Sequence, residues 1–313
     1  MFSVATSFYQ RSANHVSLFH SLLFAKNIIP DQEKIKKLIA EGRGQGEGAA
    51  YQPWLQIGNF SSTGRGSRIR DHRTGRIHHL FSDLETRYYY ILAWSEKVLD
   101  IREQFPLLPL SETEEIAAAL GYKHPRAPGG ACDEVMTTDF LLTVRGSDSD
   151  PAPHLEARYV KYEKDMANKR TCEKLQIERA FWTAHDVTFK VVTEKSIDFV
   201  KAKNIEKVLG YYELPAIDKT DEELAACSEA LLKQLAENTY QPLDACTGYI
   251  DRVFRLESGD ALNLFFHLSA RKVIPLRMTE KLLPTQPVRQ IVDVEKLEAR
   301  LAQGEGEFYA DHA

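Results

Sequence analysis

The chain has 313 residues, enough for two ordinary domains, with 43% hydrophobic and 27% charged residues and a formal net charge of −5. No apolar run approaches the roughly 20 residues that a membrane-spanning helix needs, and the acidic balance argues against a protein that finds nucleic acid unaided by its charge. Four widely spaced cysteines (Cys132, Cys172, Cys227, Cys246) without a C-x-x-C pair exclude a disulfide framework and a structural zinc site, and fit a reducing cytoplasm.

Residues 1–29 read as an N-terminal extension. Val16–Ala25 has the length of a signal-peptide core, but it lacks a lysine-rich start and runs into Lys26 and Asn27, so secretion is not expected. A short helix is predicted from Asp31 to Ala40, with Asp31 as N-cap after Pro30. It ends in "EGRGQGEG" (Glu41–Gly48). A P-loop needs a preceding strand and a Gly-Lys-Ser/Thr ending, which are missing here, so this stretch is expected to be a flexible loop with Arg43 exposed.

Residues 61–80, "SSTGRGSRIRDHRTGRIHHL", carry Arg65, Arg68, Arg70, Arg73 and Arg76 and three histidines against one acid, Asp71. The "DHRTGR" turn between two short extended runs predicts a basic hairpin, which is either a solvated face or a polyanion contact. Ser82–Val98 follows as an amphipathic helix. Ser82 and Glu85 form a capping-box pattern, so Glu85 has a structural explanation available.

An extended run, "VLDIREQFPLLPL", then leads through a connection, "EEIAAALGYKHP". After it come strands at Val135–Val144 and Leu155–Tyr162, a helix at Lys169–His185, and a strand at Val187–Glu194. This order predicts an α/β layer with a mixed sheet, and the missing glycine fingerprint excludes an open dinucleotide fold. Beyond Ser196 three helical segments precede two β-like runs, "VIPLRM" and "RQIVDV". Three helices and a ribbon make a winged-helix pattern, and the apolar last helix favours protein docking over DNA reading.

An ionised side chain inside a core is costly unless paired or metal-bound. Asp139 opens one strand and Lys161 lies within the next, with Glu85 on the preceding helix. Metal-dependent phosphodiester hydrolysis needs hard carboxylate oxygens for Mg²⁺ and a cation to orient or activate water. From spacing alone, an Asp–Lys cross-strand pair explains the pattern equally well.

The blocks "EGRGQG" with "PWL", "SxxGRxxRIxxHxTGRxHHLxSDLE", "VLDIREQFPLLP", "KHP", "DxVMTTDF" and "EKLxxERxFW" resemble the TnsA endonuclease subunit of heteromeric cut-and-paste transposases. The likeness is close over residues 34–195 and looser beyond. It implies a restriction-endonuclease-like mixed-sheet core over residues 30–200 and an α-helical, winged-helix-like C-terminal domain over residues 201–313. By motif, the catalytic residues fall on Glu85 ("SDLE"), Asp139 ("TDF"), Lys161 ("VK") and Glu178 ("EKLxxER").

The resemblance also implies Mg²⁺, with Mn²⁺ as a substitute, held by Glu85, Asp139 and the Val160 carbonyl. The substrate would be double-stranded DNA at transposon ends, cut on the 5′ strand. The partners would be a DDE-type transposase subunit and an ATP-dependent regulator, in the bacterial cytoplasm at the nucleoid and with no membrane. One departure stands out: Tyr159 occupies the position where the family usually has Gln or Glu, and Tyr162 replaces the usual proline. Glu178, the Val160 carbonyl or water remain candidates for the missing ligand. The alternative is a non-catalytic assembly subunit that bridges DNA and partner proteins.

Overall fold

The computed structural model describes residues 30–58, 65–127 and 132–303, so the N-terminal extension lies outside the described residues. The chain divides into two compact units, Met1–Ile197 and Asp198–Ala313. Among the described residues no helix is long and apolar enough to cross a membrane.

Helix α1 (Pro30–Ala40) starts on a proline, whose fixed φ and missing N–H suit a first helical turn. Asp31 therefore lies inside the helix and is not its cap. The glycine-rich stretch that follows is compact, which corrects the expected flexible loop. A Cβ on Gly44 (φ +73°) would lie 2.3 Å from Pro106 Cγ, so this close approach needs glycine. The Arg43 side chain is only 12% exposed and donates to the Pro53 carbonyl.

Strands β1 (Ser67–Arg70) and β2 (Ile77–Leu80) pair antiparallel as the expected hairpin. Its turn is tied by Asp71, whose Oδ1 accepts the N–H groups of Arg73 (2.7 Å) and Thr74 (2.9 Å), the usual way an aspartate nucleates a turn. Helix α2 (Asp83–Trp94) leads into β3 (Val98–Pro106). Leu110–Ala119, read from sequence as a connection, is helix α3.

The main sheet continues with β4 (Thr137–Val144), β5 (His154–Val160), helix α4 (Lys169–Ala184) and β6 (Thr188–Val192). Its order is β3-β4-β5-β6, antiparallel except for the parallel β5–β6 pair that α4 connects. The mixed α/β sheet expected from sequence is thus present. Phe140 of β4 meets Tyr88 of α2, whereas Leu141 and Ala157 pack with Phe181 and Trp182 of α4. Helices consequently cover both faces of the sheet. Burying such aromatic side chains stabilises by about 1.5–3 kcal/mol each.

The second unit is helical: α5 (Phe199–Leu209), α6 (Asp221–Glu237), α7 (Leu243–Phe254), α8 (Asp260–Ala270), α9 (Val288–Ile291) and α10 (Val294–Ala302). Thr220 and Glu223 form a reciprocal capping box at the start of α6. Gly259 caps α8, with φ +101°. The expected two-stranded ribbon is corrected: "VIPLRM" and "RQIVDV" meet at one bridge, Leu276↔Val292. Pro287 instead starts a helical turn, and the Val292 N–H donates back to the Val288 carbonyl (2.7 Å), so that backbone is not free to extend a ladder.

Candidate active site

The first unit gathers Glu85, Asp139, Lys161 and Glu178 around one end of β4 and β5. Asp139 is the third residue of β4, and its Oδ2 accepts the Val160 N–H at 2.6 Å across the sheet. The Gln104 side chain lies beside Asp139 and favours its ionised form. Lys161 is the first residue beyond β5, not mid-strand as expected, and its own N–H donates to the Val192 carbonyl (3.0 Å). Its positive charge favours the ionised forms of both Glu85 and Asp139.

Glu85 sits in the first turn of α2 and is 7% exposed. Ser82 Oγ accepts the Glu85 N–H (3.1 Å), the capping half of the expected box. The reciprocal bond differs. The Glu85 carboxyl accepts the Phe81 N–H (2.9 Å) and the Ser82 hydroxyl (2.8 Å), so it is fixed from the backbone while it faces Lys161 and Asp139. Glu178, on α4, is 1% exposed and accepts the Thr138 hydroxyl at 2.5 Å. Thr138 in turn accepts the Trp182 indole N–H at 2.6 Å.

Electrostatically the three carboxyls crowd one another. Burial raises the Glu85 carboxyl above its ordinary value. Burial and then the neighbouring Glu85 charge push Asp139 up to about 8. Burial and the Asp139 charge hold Glu178 well above the usual carboxylate range. Desolvation and like charge disfavour ionisation, and a bound cation relieves both.

The donors available, Asp139, Glu85 and the Val160 carbonyl, are hard oxygens. Among the described residues no three His, Cys, Asp or Glu side chains converge in ligand geometry. A cation here would complete its shell with water and phosphate, as Mg²⁺ does. The residues fit such an ion. Tyr159 stands opposite Asp139, one residue on from the Phe140↔Arg158 pair. Burial and the charges of Asp139 and Glu178 raise its phenol, which stays neutral and offers only a hydroxyl.

The hairpin arginines divide. Arg65, Arg68 and Arg70 are exposed. Arg76 is not a free cation, which corrects its expected DNA contact. Its side chain is 7% exposed and forks onto Glu103 (Nη1–Oε1 2.8 Å, Nη2–Oε2 2.9 Å), and it donates to the Ile101 carbonyl at 2.7 Å. Arg73 donates to the Val98 carbonyl (2.8 Å) and lies 3.6 Å from Asp71, so it too is partly engaged within the protein.

Sequence reading missed Gln104 and its partner Thr137, whose hydroxyl donates to Gln104 Oε1 at 3.1 Å. The available signal was "REQ" in an otherwise apolar strand, because buried polar side chains need partners.

Residues 95–194 match the family model for the TnsA-like endonuclease N terminal, and residues 196–278 match that for the TnsA endonuclease C terminal. The first match contains Asp139, Lys161 and Glu178 and begins after Glu85. The chain is 36% identical over 271 residues to the Transposon Tn7 transposition protein TnsA of Escherichia coli, covering 84% of this chain and 94% of that protein.

Proposed function

The chain belongs to the TnsA endonuclease family, and on that premise we propose that it is the Mg²⁺-dependent subunit that hydrolyses the 5′-strand phosphodiester at transposon ends. The observation that carries this reading is the surrounding of Asp139: bonded by the Val160 N–H, pressed by the Glu85 charge, itself pressing on Glu178, and offset by Lys161.

Asp139, Glu85 and the Val160 carbonyl would hold the metal, which when bound would supply acidification of a water and an offset to negative charge on the phosphate oxygens. Lys161 orients the attacking water and balances the carboxylates. Glu178, raised by burial and by the Asp139 charge, accepts the Thr138 hydroxyl and so fixes the start of β4. Exposed Arg65, Arg68 and Arg70 hold the flanking duplex by its phosphates, which gives an acidic chain a local site for a polyanion.

The helical C-terminal unit serves as a docking module for a DDE-type transposase and an ATP-dependent regulator. Recruitment by these partners suits a cytoplasmic, nucleoid-associated protein whose overall charge does not attract DNA. The test is calorimetric titration of Mn²⁺ into the full chain bound to a short transposon-flank duplex, for the native protein and Asp139→Ala. Binding lost in the variant supports the nuclease. Equal or absent binding in both moves the assignment to the non-catalytic assembly subunit.

A further inference from the structure

Gln104 has no role in the site as assigned above, yet its setting is unusual. It is 4% exposed and takes φ +48° within strand β3. A left-handed conformation at a non-glycine residue is strained and persists only where the surroundings over-determine it. Here they do. The Tyr51 hydroxyl donates to the Glu103 carbonyl (3.0 Å) and the Trp54 N–H to the Gln104 carbonyl (3.2 Å). The preceding side chain, Glu103, is itself clamped by Arg76 and His78.

The register explains what this arrangement achieves. Glu103 pairs with Phe140 and Phe105 with Thr138, which sets Gln104 opposite Asp139. A glutamine amide has one oxygen acceptor and one NH₂ donor. The Thr137 hydroxyl, two residues before Asp139 on the same strand, donates to Oε1 at 3.1 Å, so the NH₂ end of the amide is the one available to the cross-strand neighbour Asp139. Asp139 therefore lies between an amide donor from β3 and the Val160 N–H from β5. The Tyr159 phenol on its other flank can supply neither a carboxylate nor an amide.

We propose that Gln104 is the positioning residue for Asp139: its carboxamide, anchored by the Thr137 hydroxyl and the left-handed turn in β3, holds the carboxylate in the orientation that receives a divalent cation. The proposal rests on the endonuclease reading above. Partners of this kind around a metal ligand change metal affinity or activity when removed, typically by 10–100-fold.

The test uses Gln104→Met, which keeps the length and bulk of the side chain and deletes the amide. Mn²⁺ is titrated calorimetrically into the full chain bound to a short flank duplex, and the thermal unfolding midpoint is measured alongside. The expected result is Mn²⁺ binding weaker by roughly 10–100-fold with an unfolding midpoint close to that of the native chain. Thr137→Val, which unfastens the amide but leaves it present, shifts affinity the same way by less, and it decides the matter if Gln104→Met does not fold. A merely structural Gln104 lowers the unfolding midpoint and leaves Mn²⁺ affinity unchanged, and that result overturns the proposal. Native binding that is lost in Asp139→Ala but unaltered in both other variants defeats this proposal alone. No Mn²⁺ uptake by the native chain defeats the endonuclease reading with it.

Discussion

Arg76 offers the sharpest test of the structure, because sequence reasoning and geometry give it opposite roles. As a DNA contact, its removal weakens duplex binding and leaves the fold intact. As a buried partner of Glu103, its removal strands a carboxylate that is fully buried. Breaking a buried ion pair from one side costs about 3–5 kcal/mol. After Arg76→Met, Glu103 keeps two partners, His78 Nδ1 at 2.8 Å and the His79 N–H at 3.1 Å. Those survivors put the loss at the lower end, about 3 kcal/mol. For a unit of this size each kcal/mol moves the melting midpoint by about 2–4 °C, so the first unit should melt roughly 6–12 °C lower. Differential scanning calorimetry of the full chain measures this, with duplex affinity taken below the transition. An unchanged midpoint together with weakened DNA binding would refute the buried-partner account and return Arg76 to the DNA face.

The double variant Arg68→Ala/Arg70→Ala should do the reverse. Stability stays within about 0.5 kcal/mol, while duplex affinity falls and the salt slope drops by about 0.9 per lost phosphate contact, read from binding isotherms across a salt series. The Glu103 cluster also predicts a pH profile. Burial raises Glu103, but His78 and Arg76 outweigh it and hold the carboxyl at about 2, below its ordinary 4.5. This contribution is present above the ordinary value and lost as pH falls through about 2. Burial lowers His78, yet Asp71 and Glu103 raise it above 6.5, so its contribution is complete below 6.5 and lost as pH rises through the folded value. Urea midpoints should therefore decline on the alkaline side, and His78→Gln should flatten that decline. Lys161→Met should retain Mn²⁺ binding and slow cutting of an end duplex by roughly 10²–10⁴-fold in the presence of the partner transposase.

What was legible in the sequence follows from how each element is stabilised. Strand β4 carries a continuous apolar stretch, Phe140–Leu142, and it, β5 and helix α4 were found within a few residues. Helix α3 buries only Thr113 and Ala117 and has no side-chain cap, so its face is too narrow to register. Helix α5 puts Asn204 in its buried stripe, where the side chain donates to the carbonyls of Met278 and Glu280, and this distant pairing disguised the periodicity. The ribbon failed because a proline-initiated helical turn satisfied the backbone first. Within the site, Asp139 stood out as a charge at the mouth of an apolar strand, with Lys161 as a cation in the next extended run. Gln104 did not, because a neutral amide carries no comparable cost until its partners, thirty-odd residues away, are known.

The strand "IREQF" shows why burial of a polar residue does not by itself mark a functional one. Glu103 and Gln104 are neighbours and both buried, yet they serve different ends. Glu103 meets two cations at hydrogen-bonding distance, and its carboxyl is held low. Such a group is finished: its charge is spent on folding, and it has no tendency to take up a further ion. The carboxyls beyond Gln104 are the converse. Glu85 and Asp139 share one lysine, Lys161, and all three carboxyls, Glu178 included, are raised by burial and, for Asp139 and Glu178, by a neighbouring carboxylate. Their environment leaves them short of positive charge, which costs stability unless a cation completes the site. The direction of the shift, down where partners suffice and up where they do not, separates a structural charge from one retained for chemistry. By that criterion Glu103 is a structural charge and Asp139, across the strand from Gln104, is one retained for chemistry.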